Sequence, residues 1–263
     1  MNMKKLTNLI SAAYTHATLT ASRLLPWLPG VAPGPVSTPA LNKVLLNLCG
    51  GDRELALFVM RWIAFPLRRH HAKLATALWI RSGQGNGKSL YFEQAILPLF
   101  LEHGVSVPDY KLSSSFNDWL YGRHMVVVNG AMARAEEVAT LKHMITSSHV
   151  KLHSKGRPSI TTKNRANFVC LSGHQEALPI DSCDRRFVVI ESGPALPREV
   201  YAAAAKEIRS GGVEALYRYF TREIRMGGFS IDSLPGQRTI QTEEMRARFL
   251  KPIQHAEKVG GAQ

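Results

Sequence analysis

Cysteine is scarce in this chain, and the three present, Cys49, Cys170 and Cys183, stand far apart without a C-x-x-C pair. That spacing offers neither a disulfide framework nor the paired thiolates of a zinc site. Long apolar runs are missing too. No stretch approaches the ~18 residues of a membrane span, and although Lys4 and Lys5 open the chain, Thr7, Asn8 and Ser11 interrupt any signal-peptide core. A cytoplasmic location with no membrane partner is expected. Acidic residues are the third shortage: 20 Asp and Glu face 33 Lys and Arg, a net charge of +13. Such an excess suits a polyanionic partner, the other reading being a generally basic surface. At 45% hydrophobic and 20% charged, the 263 residues exclude a disordered chain and suffice for one large domain or two small ones. No internal repeat is found.

What the chain does have is a glycine-rich stretch, Ser82-Gly83-Gln84-Gly85-Asn86-Gly87-Lys88-Ser89, between an apolar run ending at Ile80 and an apolar-periodic segment over 90–100. Strand, glycine loop and helix in that order make a phosphate-binding loop. The glycines let backbone N–H groups converge on phosphate oxygens, and the helix N-terminus adds a favourable dipole. The spacing assigns nucleotide contacts to Gly83, Gln84, Gly85, Asn86, Gly87, Lys88 and Ser89. Lys88 would reach the β- and γ-phosphates and the Ser89 hydroxyl would ligate Mg²⁺, so ATP and Mg²⁺ are the expected ligands. One letter departs from the pattern: Ser82 replaces the first glycine, and it is small enough for the entry to the loop.

Around this loop the chain divides by composition. Residues 1–40 hold a weakly helical stretch (6–25) and a proline-rich linker containing Trp27. Residues 41–72 read as a helical lead-in. Its first helix ends at Gly50-Gly51. Its second is capped by Asp52, carries Leu55, Phe58, Val59, Trp62 and Ile63 as core, and is stopped by Pro66. The nucleotide-binding core is expected over 73–192. Within it Val105 and Val107 mark a strand, Phe116 to Leu120 a short helix, and Met125-Val126-Val127-Val128-Asn129 a strand buried on both faces. Asn129 ends that strand where a nucleotide site needs a polar group for Mg²⁺ or its water.

A helix over Ala135–Thr146 then leads to two strands joined around Ser154-Lys155-Gly156-Arg157-Pro158, with Lys151, Lys155, Arg157, Lys163 and Arg165 close together. A charge run is either a solvated face or a phosphate-backbone contact. In a basic chain with a nucleotide loop the second reading is preferred, with His153, Lys155 and Arg157 as DNA contacts. Strands at 167–172 and 187–190, C-terminal helices over 193–228 and a polar tail over 229–263 complete the chain.

The order of these stretches resembles the C-terminal helicase domain of phage and plasmid primase-helicases, close to superfamily 3 of the AAA+ class. The matching residues are Trp62 to Pro66, Gly85 to Ser89, Phe116 to Leu120, Val126 to Asn129, Lys155 to Pro158, Ala166 to Phe168, Ala177 to Ile180 and Asp184 to Phe187. The resemblance implies an α/β P-loop NTPase with a central parallel sheet flanked by helices, a small helical N-terminal part and a basic β-hairpin. It implies Mg²⁺ at Ser89 and Asn129, the hairpin on single-stranded DNA, and Arg185 or Arg186 as an arginine finger reaching a neighbouring subunit's nucleotide. It also implies a homo-oligomeric ring, a hexamer by preference, acting in replication within a bacterial host. No primase domain is read before residue 41, so the N-terminus is expected to be the remnant of a longer architecture or a stand-alone version, and a separate primase is among the expected partners.

Two positions depart from that family. Gly130 stands where a carboxylate follows Asn129, and Ser172-Gly173-His174 stands where the sensor strand ends Ser-Asn-His. A general base contributes ~10²–10⁴ in rate and a lost positioning donor another ~10²–10³. The alternative reading is therefore a non-motor relative that binds ATP and DNA but hydrolyses poorly; vigorous hydrolysis would refute it and assign the base to Glu136, Glu137, Asp118 or a neighbouring subunit. Restoring Gly130→Glu with Gly173→Asn is expected to raise turnover. A metabolic P-loop kinase is disfavoured, because the basic hairpin would have no purpose.

Overall fold

Ala77, Leu78, Trp79 and Ile80 are buried without exception, and so are Met125 to Val128, because both runs become strands of a sheet covered on both faces. The computed structural model describes residues 37–70, 72–130, 134–173 and 184–234. The 6–25 stretch, Trp27, His174, residues 177–180, Cys183 and the tail beyond 234 lie outside them. The strands are β1 (Ala77–Arg81), β2 (Gly104–Pro108), β3 (Met125–Asn129), β4 (His149–Leu152), β5 (Ile160–Lys163), β6 (Asn167–Ser172) and β7 (Phe187–Glu191). Five of them form a parallel sheet in the order β2-β3-β6-β1-β7, while β4 and β5 pair antiparallel as a separate hairpin.

Successive strand residues point to opposite faces, and each face has its own core. Leu78, Ile80, Val127, Val169, Leu171 and Val188 join a cluster with α1 (Pro39–Leu48), α2 (Arg53–Arg68) and the C-terminal helices α4 (Arg198–Glu207) and α5 (Val213–Arg218). Trp79, Val126, Val128, Phe168 and Cys170 face α3 (Ala135–Thr146) through Val138, Leu141 and Ile145, and reach Val150 and Leu152 of the hairpin. The chain is thus mixed α/β, with a central parallel sheet flanked by helices. Among the described residues no helix is long and apolar enough to cross a membrane.

The helical lead-in reflects local chemistry. Asp52 caps α2 by accepting from the Leu55 N–H at 3.0 Å. Trp62 is buried and donates its indole N–H to Thr76 Oγ1 at 3.0 Å, which makes its stripe core. Pro66 does not stop α2; the helix runs on to Arg68. A proline in the last turn removes one backbone bond and leaves the two remaining helical residues in place. Arg68 then ties that turn to the C-terminal part, donating to the carbonyls of Phe220 at 2.6 Å and Ile224 at 2.7 Å.

The segment after the glycine loop is not one regular helix. A π-helical stretch, Leu90–Ile96, gives way to a 3₁₀ stretch, Leu97–His103, that breaks at Leu101, where φ is 51°. Pro98 cannot donate, so the i→i−4 ladder fails there, and the Leu97 N–H reaches back five residues to Phe92. The C-terminal packing reaches into the stretch read as a polar tail. The Phe229 ring lies 5.5 and 5.6 Å from those of Phe58 and Phe65, and the Ile231 carbonyl accepts from the Ala75 N–H at 3.0 Å. The N-terminus of α1 is capped from far away: Glu207 on α4 accepts from the Ala40 and Leu41 N–H groups, both at 2.9 Å.

Candidate functional site

In an open parallel sheet ligands bind beyond the carboxyl ends of the strands. Here that edge gathers Ser82 after β1, Asp109 after β2, Asn129 at the end of β3, Gly173 after β6 and Ser192 after β7. The glycine loop leaves β1 and enters the helical segment at Lys88 and Ser89. Gly83, Gln84, Gly85 and Ser89 are exposed. Gly87 has φ +79°, and a Cβ there would lie 2.9 Å from the Tyr201 ring and 3.1 Å from Val44, so no side chain fits. Asn86 does internal work: its amide donates to Ser192 Oγ at 2.8 Å and the Gly193 carbonyl at 3.0 Å, fastening the loop to the β7–α4 connection. Between loop and connection lies a cleft of about 520 Å³, lined by Arg81 to Gln84, Asn86 and residues 191–195.

Lys88 folds back on its own loop. Its ammonium donates to Ser82 Oγ at 2.5 Å, the Ser82 carbonyl at 3.1 Å and the Gly83 carbonyl at 3.0 Å. Burial holds it below the ordinary lysine value.

Asn129 sits in a polar cluster that the sequence did not reveal. Its Nδ2 donates to Glu93 Oε1 at 2.7 Å and Ser106 Oγ at 2.9 Å, and the Ser106 hydroxyl donates to the same Glu93 oxygen at 2.5 Å. An ionised carboxylate only accepts, so the amide nitrogen must face Glu93 and Oδ1 is left to accept. Glu93 stands one helical turn after Ser89, which brings β3 to the foot of the loop.

Gly130 and Gly173 differ sharply. Gly130 has φ +149°, and a Cβ there would fall 2.1 Å from Asp109 Cγ and 2.2 and 2.6 Å from its two carboxyl oxygens. Gly173 has nothing within 4 Å of such an atom. The exchange that the sequence suggests fits at 173 and not at 130, because the backbone at 130 is left-handed and the space is filled.

The predicted arginines part company. Arg186 binds Asp184 with Nε and one terminal nitrogen, both at 2.7 Å, and Lys142 approaches the same carboxylate at 3.2 Å. Burial alone would raise the Asp184 carboxyl, but the bonds from Arg186 and Lys142 outweigh it and hold the group below the usual carboxylate value. Arg185 is the exposed member of the pair. On the hairpin His153, Lys155 and Arg157 are all exposed, as are Lys151 and Lys163. Asn117 pins the turn end of β4: its Oδ1 accepts from the His153 N–H at 2.7 Å and its Nδ2 donates to the Lys151 carbonyl at 3.1 Å. The segment between β2 and β3 therefore begins at the carboxyl edge of the sheet with Asp109 and meets the basic hairpin at Asn117.

Comparison with known proteins bears on the fold. The model of a family described as "Family of unknown function (DUF5906)" matches residues 80–186, from the end of β1 to the arginine pair. The DNA primase-polymerase of Nitratiruptor phage NrS-1 is 28% identical over 216 residues, which are 79% of this chain and 29% of that protein. An apo structure of the NrS-1 C-terminal region superposes with a TM-score of 0.68 at 23% identity, covering 87% of this chain and 56% of that one. A second apo form gives 0.66 at 23%, covering 85% and 54%. The chain is related to that C-terminal region and shares its fold, and it spans under a third of the phage protein's length.

Proposed function

We propose that this chain is the ATP-dependent motor domain of a phage-type DNA replication protein, a superfamily 3-like helicase unit that assembles as a ring and tracks single-stranded DNA. The carrying observation is the glycine loop with its lysine at the carboxyl edge of the parallel sheet, the edge where segment 109–121 also begins before Asn117 meets the turn end of an exposed basic hairpin. Kinship with a phage primase-polymerase supports the setting in DNA replication.

The cleft beside the loop has the dimensions of small-molecule sites, ~300–1,000 Å³, and Lys88, turned on the loop's own carbonyls, is a cation that phosphate oxygens would attract. The residues present fit ATP with Mg²⁺. Lys88 and the N–H groups of 83–89 would hold phosphates, and the Ser89 hydroxyl with Asn129 Oδ1 would offer oxygen ligands to the metal. The metal, when bound, neutralises charge between the phosphates. Glu93 orients the Asn129 amide, Asn86 fixes the loop, and Asn117 links the β2–β3 segment to the hairpin. Arg185, exposed before β7, is the better of the two arginines for reaching a neighbouring subunit's nucleotide.

The test joins binding to assembly. ATP·Mg²⁺ should bind by titration calorimetry, single-stranded DNA should stimulate its hydrolysis, and native mass spectrometry should find a ring. Lys88→Ala should abolish nucleotide binding with its melting temperature unchanged. Equal ATP affinity in that variant and the parent refutes the phosphate-loop reading.

A further inference from the structure

We propose that Asp109 is the catalytic carboxylate of this site, supplied by the neighbouring strand in place of a side chain at position 130; this rests on the nucleotide-hydrolysing reading above. Pro108 pairs with Asn129 across the β2–β3 ladder, so the next residue on each strand, Asp109 and Gly130, meet at the same edge. All three carboxyl atoms of Asp109 lie within 2.6 Å of where a side chain at 130 would begin. The glycine is what admits the carboxylate: any Cβ at 130 would expel it, and the φ of +149° is one that side chains avoid.

Asp109 is also held in place. Its Oδ1 accepts from the Tyr110 N–H at 2.8 Å, and its carbonyl accepts from the Leu112 N–H at 2.9 Å, closing the turn that aims it. Glu93 accepts from Asn129 and Ser106, Arg134 lies 3.7 Å from both Glu136 and Glu137, and Asp118 is exposed beside Asn117.

The chemistry assigned to Asp109 is that of a general base. As the water oxygen bonds to the γ-phosphorus, the bond from that phosphorus to the β–γ bridging oxygen breaks and its electron pair leaves with ADP. The water proton passes to the Asp109 carboxylate and from there to solvent, so ATP and water become ADP, phosphate and one released proton. Gly130 and Asp109 together then account for a site that keeps its base while losing it from the usual place in the chain.

The experiment uses the full chain with ATP, Mg²⁺ and a single-stranded oligonucleotide. Asp109→Asn keeps the size of the side chain and its acceptor for the Tyr110 N–H, and Asp109→Ser is a second, smaller variant. Both are expected to bind a fluorescent ATP analogue with the parent's affinity and to melt at the parent's temperature. Both should lose at least about 100-fold in DNA-stimulated turnover. If the parent binds and hydrolyses ATP and either folded variant keeps its rate, Asp109 is not the base. If the parent binds ATP yet does not hydrolyse it with DNA present, the Asp109 role falls while the nucleotide site stands. If the parent binds no nucleotide, both readings fall.

Discussion

Lys88 Nζ lies 2.5 Å from Ser82 Oγ, so the residue that replaces the loop's first glycine is also the one that detains the loop's cation. On the proposed reading, a nucleotide would have to break that bond to recruit the lysine. A hydrogen bond to a charged group is worth ~1.5–3 kcal/mol before its replacements are counted, and the Ser82 and Gly83 carbonyls remain to hold the ammonium. Ser82→Gly is expected to tighten ATP binding by ~3- to 10-fold, on the scale of about 1 kcal/mol. An unchanged or weaker affinity in a fluorescent-nucleotide titration would show that the serine detains nothing.

The two glycines at the sheet edge should respond oppositely to a methyl group. Gly130→Ala places a side chain in left-handed backbone and against Asp109, with strain of ~1–3 kcal/mol for the backbone alone. Gly173→Ala meets open space and should stay within ~0.5 kcal/mol of the parent. Denaturant titration of both, with Gly130→Ala/Asp109→Gly as the relieved pair, measures the difference. Equal stability of the two single variants would contradict the crowding at 130.

Lys155 and Arg157 stand exposed on the hairpin turn. Neutralising both should lower the slope of log K against log salt for single-stranded DNA by about 1.4, at ~0.7 for each phosphate contact. Binding isotherms at four salt concentrations suffice. A slope that does not move would place the DNA on another basic surface.

Lys73 gives a pH signature unrelated to catalysis. Its ammonium donates to the carbonyls of Met144 at 2.8 Å and Ala166 at 3.0 Å, and burial pushes its pKa down to about 7 from 10.5. Above pH 7 the folded chain has shed a proton that the unfolded chain still holds, so stability rises with pH. The rise should be seen between about pH 7 and 8.5, below the range where the unfolded thiols of Cys49 and Cys170 ionise; their folded counterparts, pushed up by burial, act in the opposite sense. Lys73→Met should flatten the profile. A variant that keeps the parent's slope would assign the rise to other groups.

The sequence disclosed what neighbouring residues decide among themselves. The valines before Asn129 announce a buried strand, the spacing of Val138, Leu141 and Ile145 announces α3, and Asp52 announces its own helix. Asp109 was not legible as a site residue, because its meeting with Gly130 depends on β2 lying beside β3, a sheet order that no local pattern encodes. The available signal was an acid directly after an alternating strand, at the edge where parallel strands end. Asn167 stands out in the sequence only as part of the Ala166 to Phe168 match. In the fold it is buried, accepts from the Leu74 N–H at 2.7 Å and donates to the Ala72 and His124 carbonyls at 3.1 and 3.0 Å, joining the entrances of three strands.

The Glu207 carboxylate that closes the N-terminus of α1 comes from 166 to 167 positions further along the chain. During synthesis, α1 leaves the ribosome with its first N–H groups facing water and waits for nearly the whole domain before its partner arrives. A contact of such sequence separation adds to a slow, late closing step. Nascent chains halted before Glu207 should leave α1 open to protease, and chains released just beyond it should protect it.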